Sequence, residues 1–286
     1  LSPYVYNLLL YDKKKNDGLF NLIKFSKELS KNNYDYVFDL HSKFRSKIIT
    51  FVLSKFYGVK AYTYKKRAFW KSILVNMKLI KYEVDNTIVK NYFSAFKDFD
   101  LEYQGEKLNF SFEPELKEKF KEYKDYIAFA VGASKETKKW TVEGFGSLAK
   151  KLFETYKKKI ILVGGKEDCE RCDTIEKISE NSVVNLAGKL SLKETGALLS
   201  QARFLLTNDS GPFHIARGVG CKTFVIFGPT SPGMFDFGEN DVLVYNNIDC
   251  SPCSLHGDKI CPKKHFKCMK ELSYEKVFKI IESKEW

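Results

Sequence analysis

The chain has 286 residues, is 44% apolar, and carries 48 Lys and Arg against 36 Asp and Glu, a net charge of +12. That length exceeds what one hydrophobic core usually supports, so two domains are expected. No run approaches the ~18 uninterrupted apolar residues of a membrane-spanning helix. Residues 1–10 show neither a basic leader nor a small-residue cleavage site, so a cytoplasmic protein is expected.

Lysine supplies most of the charge, densest at Lys13–Lys15, Lys65–Arg67 and Lys157–Lys159. Such patches are read either as a solvated surface or as attraction to anionic lipid at a membrane face. No nucleic-acid-binding module accompanies them, so nucleic acid is not an expected partner.

Taken in chain order, residues 8–11 read as a strand end, and 19–32 as a helix with apolar positions at helical spacing. A strand over 36–40, an amphipathic helix over 42–56, a short strand over 59–63 and a helix over 86–99 follow. A charged, Pro-bearing helix over 113–125 leads out of this half. Strands over 126–131, 159–163 and 183–186 then alternate with helices over 141–156 and 169–178. Ser191 and Glu194 form a capping box that starts a helix running to Ala202. Alternation on this scale predicts an α/β protein with two parallel, Rossmann-like sheets, divided at 1–122 and 123–286.

The stretch from Phe204 to Pro232 is the most telling. Phe204–Thr207 is a short apolar strand. Asn208-Asp209-Ser210-Gly211-Pro212 starts a helix, with Asp209 or Ser210 able to cap it and Pro212 suited to its first turn. The N–H groups of Gly211, Phe213 and His214 would face out of the helix end and favour a phosphate. Thr223–Phe227 resumes as a buried strand.

Cys250, Cys253, Cys261 and Cys268 cluster near the C-terminus, with His256 and His265 between them. The spacing suits a tetrahedral zinc, a disulfide pair or reduced structural thiols, and the residues alone leave these open. Cys221 reads as a small core filler.

The motif Asp209-Ser210-Gly211-Pro212 with His214, then Gly228-Pro229-Thr230, resembles the ADP-heptose:lipopolysaccharide heptosyltransferases, glycosyltransferase family 9. Further elements match in order: Tyr34-Asp35 to His41 with Arg45-Ser46, Gly132-Ala133-Ser134 with Thr137 to Trp140, Gly164-Gly165 with Glu167, and Asn185 to Lys189. The resemblance covers nearly the whole chain. It implies a GT-B fold, two facing Rossmann-like domains of which the first lacks the family's opening strand and loop, roughly fifty to sixty residues.

The activity it implies is inverting transfer of a heptose from ADP-heptose to the lipopolysaccharide inner core, with no cofactor or metal and with peripheral contact at an anionic membrane. Related donors or acceptors, or nucleotide-sugar binding without catalysis, are the alternatives. Lys138 matches the family lysine that meets the leaving diphosphate, with Lys139 adjacent. Asp209 matches the acid that holds donor-sugar hydroxyls, and Glu167 the ribose ligand. Ser134 and Thr137, with the backbone amides of Ser210, Gly211, Phe213 and His214, are the expected phosphate contacts. Asp39, His41 and Arg45 are the expected acceptor contacts. The family's general base belongs to the opening loop, and no base is assigned here.

Overall fold

The computed structural model describes residues 5–12, 18–64, 84, 86–123, 125–180 and 182–284. The basic patches at 13–15 and 65–67 lie outside them.

In the first half, α1 (Leu19–Ser30) and α2 (Phe44–Tyr57) accompany β1 (Tyr36–Asp39) and β2 (Lys60–Thr63). The two strands pair in parallel with Tyr36 opposite Lys60 and Asp39 opposite Thr63. Their aromatic side chains make the local core: Phe38 stacks on Phe96 at 4.3 Å and on Tyr62 at 5.3 Å between ring centroids. Such pairs add to plain area burial when rings are offset or edge-on.

Three expectations are corrected here. Residues 8–11 form no strand, and Leu8 and Leu10 are exposed. The helix over 86–99 is α3 (Ile88–Phe93) followed by a 3₁₀ stretch over Ser94–Phe99. Residues 113–125 tighten into a 3₁₀ turn over Pro114–Phe120. The Tyr123 N–H donates to the Phe120 carbonyl and Asp125 adopts φ 56°, which swings the chain into the second sheet before an α-helix is completed.

The second half is built on six parallel strands: β3 (Ile127–Ala130), β4 (Ile160–Val163), β5 (Val183–Asn185), β6 (Leu205–Asn208), β7 (Thr223–Phe227) and β8 (Asp241–Tyr245). Their order is β5-β4-β3-β6-β7-β8. The helices are α4 (Val142–Tyr156), α5 (Cys169–Ile178), α6 (Leu192–Leu199), α7 (Gly211–Gly218), α8 (Lys267–Lys270) and α9 (Tyr274–Glu282). β8, absent from the sequence reading, closes the edge.

Every residue of β3, β4, β6 and β7 is buried, as expected of parallel strands covered on both faces. Alternation along β3 sorts the core: Ile127 and Phe129 face a layer that includes Phe145, Leu148 and Ile281, while Ala128 and Ala130 face one that includes Leu198, Leu199 and Ala216. Each large side chain fully buried in this way contributes ~1.5–3 kcal/mol. The capping box on α6 is present: the Glu194 N–H donates to Ser191 Oγ at 3.2 Å and the Ser191 N–H to Glu194 Oε2 at 2.8 Å.

Strand order reverses between β3 and β6. Connections from β3 run one way across the sheet and those from β6 the other, so the loops leaving these two strands part and leave a crevice at their carboxyl ends.

Candidate active site

Two loops meet at that reversal. The loop after β3 carries Gly132, Ser134 and the 3₁₀ turn Glu136–Lys138. The loop after β6 carries Asp209 and Ser210. Asn208, the fully buried last residue of β6, ties them together. Its side-chain amide donates to the Val131 carbonyl at 2.9 Å and the Gly132 carbonyl at 3.2 Å, and its Oδ1 accepts from the Trp140 N–H at 3.0 Å. The Trp140 indole is itself held, donating to the Leu272 carbonyl at 2.9 Å.

On this frame Lys138 Nζ lies 2.8 Å from Asp209 Oδ2, with side chains only 11% and 6% exposed. The Thr230 hydroxyl donates to the same Asp209 oxygen at 2.8 Å. Lys139 turns the other way and pairs with Glu136 at 2.6 Å, where Glu136 is largely exposed. The neighbouring lysines are thus told apart by direction: Lys138 enters the switch point and Lys139 leaves it. Taking both ions of the Lys138–Asp209 pair out of water costs several kcal/mol each before their attraction is counted, so such a pair adds little net stability. Buried charge at the mouth of a sheet is a mark of functional sites.

Behind the pair, α7 begins with N-cap Ser210. The expected side-chain cap is absent. Asp209 is drawn to Lys138 and Thr230, and Ser210 Oγ faces Thr207 Oγ1 at 3.2 Å instead. Gly211 opens to free space. An uncapped helix start with its dipole pointing outward is a seat for anionic oxygen. The Phe213 N–H already donates to the Ser210 carbonyl at 3.2 Å, and the Phe213 ring is buried with Val225 and Phe227. His214 sits between the Phe213 and Phe235 rings, 5.1 Å from each. Burial holds its imidazole below the usual histidine value, with Asp209 pulling the other way.

The adjacent strand β4 brings Glu167 to the same edge, exposed and folded against Gly165. Its neighbour Asp168, which the sequence reading did not single out, is buried and accepts the Gly165 N–H at 3.0 Å. Its carboxylate fills the space a Cβ on Gly132 would need, which is why that loop passes so close. Burial pushes the Asp168 carboxyl above its ordinary value, against a backbone hydrogen bond from Gly165 that lowers it. Arg171, also unforeseen, donates from Nε to the Val131 carbonyl at 3.1 Å and from its terminal nitrogen to the Trp140 carbonyl.

Ser134 is exposed in the first loop. Thr137 is buried, and its hydroxyl is engaged with the backbone of Asp258. In the first half, Asp39 is buried and its Oδ1 accepts the N–H groups of His41 at 3.0 Å and Ser42 at 2.8 Å, while Oδ2 accepts the Ser46 hydroxyl. It fixes the turn from which exposed His41 and Arg45 project. All seven cysteines are free thiols. Cys250 Sγ lies 3.7 Å from His265 Nε2. Burial pushes the Cys253 thiol up to about 11 and the Cys268 thiol up to about 12. Among the described residues no group of three or more His, Cys, Asp or Glu is arranged to hold a metal ion.

Residues 22–280 match the family model of glycosyltransferase family 9 (heptosyltransferase). The lipooligosaccharide heptosyltransferase 2 of Campylobacter jejuni serotype O:6 is 31% identical over 271 residues, covering 91% of this chain and 78% of that protein. The lipopolysaccharide heptosyltransferase 1 of Campylobacter coli is 27% identical, covering 98% and 84%. Among solved structures, the family 9 glycosyl transferase of Veillonella parvula superposes with TM-score 0.76 at 19% identity, over 99% of this chain and 83% of that one. The E. coli ADP-heptose lps heptosyltransferase II superposes with TM-score 0.66 at 17% identity, over 92% and 80%. The architecture is α/β of the GT-B type. The matched family and the shared fold together place this chain in glycosyltransferase family 9, the heptosyltransferases.

Proposed function

We propose that the protein transfers a heptose from ADP-heptose to an inner-core sugar of lipopolysaccharide, with inversion and without a metal ion. The observation that carries this is the buried Lys138–Asp209 pair beside the uncapped start of α7. The acceptor hydroxyl attacks the anomeric carbon and gives up its proton to a general base, the bond from that carbon to the diphosphate oxygen breaks, and ADP leaves with the electron pair. Inversion follows from attack opposite the leaving group. The growing negative charge falls on the diphosphate, where the Lys138 ammonium and the first backbone N–H groups of α7 meet it. Fixed donors of this kind replace the divalent cation that many nucleotide-sugar enzymes use.

In this reading Asp209 holds Lys138 ready and contacts the donor sugar, exposed Ser134 meets phosphate, and Glu167 accepts the ribose hydroxyls. Thr137 acts through its place in the loop, since its hydroxyl is bound to Asp258. Residues 123–286 form the donor half. Residues 1–122 form the acceptor half, where exposed His41 and Arg45 face acidic groups of the glycolipid and Asp39 sets their turn. The charge of +12 favours approach to an anionic cytoplasmic membrane face. Among the described residues no helix is long and apolar enough to cross a membrane.

Calorimetric titration with ADP, ADP-heptose and UDP-glucose, with and without magnesium, tests the donor half of the reading. Binding that prefers the ADP ligands and ignores magnesium is expected. Preference for UDP-glucose, or dependence on magnesium, would refute it.

A further inference from the structure

Lys138 is positioned by a turn more than a hundred residues away in sequence. In the stretch 253–258, buried Ser254 Oγ accepts the Gly257 N–H at 3.1 Å, and Gly257 takes φ 76°. A Cβ on Gly257 would stand 2.7 Å from Lys138 Cγ and 2.9 Å from Cδ. The methylene stem of Lys138 therefore lies directly on the backbone of Gly257, where only a missing side chain leaves room. The next residue grips the neighbouring position. The Asp258 N–H donates to Thr137 Oγ1 at 2.7 Å, while the Thr137 hydroxyl and N–H both donate to the Asp258 carbonyl, at 3.0 and 3.1 Å.

The same turn also reaches the other partner of the ion pair. The N–H groups of Cys253 and Ser254 both donate to the Pro229 carbonyl at 2.9 Å. Pro229 precedes Thr230, whose hydroxyl binds Asp209. One short segment thus holds Lys138 through Gly257 and Thr137, and Asp209 through Thr230.

We infer that the turn 253–258 is a positioning clamp for the leaving-group lysine, and that Gly257 is the residue on which the lysine stem is seated. Gly257 acts through Lys138 and touches no substrate. The inference rests on the role of Lys138 proposed above. A group that stabilises charge only in the transition state is sensitive to small displacements, since a shift of ~1 Å can cost ~10²-fold in rate.

The test is a double-mutant cycle between Gly257→Ala and Lys138→Ala, read as kcat and donor KM for transfer. Gly257→Ala alone should lower kcat ~10–100-fold and move donor KM less than about threefold. In the Lys138→Ala background, where no stem remains to collide with, the further loss in kcat should be less than about threefold, what is left being the strain of a side chain at φ 76° and the Lys135 Cβ 3.1 Å from the added methyl. Normal kcat in a folded Gly257→Ala protein, or an equal loss in both backgrounds, would overturn the clamp. If Gly257→Ala does not fold, Ser254→Ala carries the same cycle, because it removes the acceptor of the Gly257 N–H and leaves the stem's path open. It should then cost a few-fold in kcat only when Lys138 is present. Wild-type turnover by Lys138→Ala itself would instead overturn the underlying role of the lysine.

Discussion

Replacing Asp209 by Asn removes one charge from the site and little else, because an amide oxygen still accepts the Thr230 hydroxyl. At 2.8 Å and an effective dielectric near 20, the gross attraction between Lys138 and Asp209 is about 6 kcal/mol. Desolvation of the two ions cancels most of it, so the intact pair is close to neutral for stability. The single substitution is different: it leaves the Lys138 ammonium buried, at 11% exposure, with no counter-charge. Stranding one member of a buried pair costs ~3–5 kcal/mol, and for a protein of this size ~3 kcal/mol corresponds to a fall in Tm of about 6–12 °C. Scanning calorimetry of Asp209→Asn beside Glu271→Gln gives the measurement and its control. Glu271→Gln breaks the exposed Lys267–Glu271 pair, which is worth less than about 1 kcal/mol and should leave Tm within ~2–4 °C. Equal small shifts for the two variants would refute the claim that the Lys138–Asp209 pair is desolvated.

Lys138→Ala should lower kcat ~10²–10³-fold with donor KM little changed, as for loss of one fixed donor to developing charge, and steady-state kinetics of ADP release would measure it. Glu167→Ala should weaken ADP binding ~10–100-fold, the loss of a charge-assisted hydrogen bond, while kcat at saturating donor holds; calorimetry reads the affinity. Asn208→Ala leaves the Trp140 N–H and two loop carbonyls without their partner and should destabilise by ~1–3 kcal/mol, read by urea unfolding. For His214, whose folded value is lowered, the unfolded chain takes up the proton first as pH falls. Its contribution to stability is therefore full above the ordinary value of ~6.5 and declines below it. Tm of His214→Gln should fall less than that of the wild type between pH 7 and pH 5, and parallel curves would contradict the lowered value.

The βαβ unit through Asp209 and the capping box at Ser191 were legible because each is a local pattern in which adjacent residues do the structural work. The choice between Lys138 and Lys139 was not, since Lys138 ends a 3₁₀ turn, Lys139 follows it directly, and only tertiary direction separates them. Thr137 looked like a phosphate ligand from its loop, yet its hydroxyl is bound to Asp258, a partner 121 residues away that no spacing rule points to. In the sequence Asn208 reads as part of a helix start signal, where Asn is ordinarily a cap. Its burial at the end of β6 makes it the staple of both site loops instead. The expected helix over 113–125 had the charge pattern of a helix but had to bend sharply into β3, and that requirement prevailed over propensity. Strand β8 follows a Gly-Glu-Asn stretch that reads as the end of a loop, and its partner β7 supplies the pairing that local pattern lacked.

The most direct test of the account is a transfer assay with ADP-heptose and a heptose-deficient inner-core acceptor, run with and without a metal chelator, with the anomeric configuration of the product read by NMR. One heptose added with inverted configuration, stoichiometric ADP release, and no effect of chelation are expected. Retained configuration, or activity abolished by chelation, would contradict it.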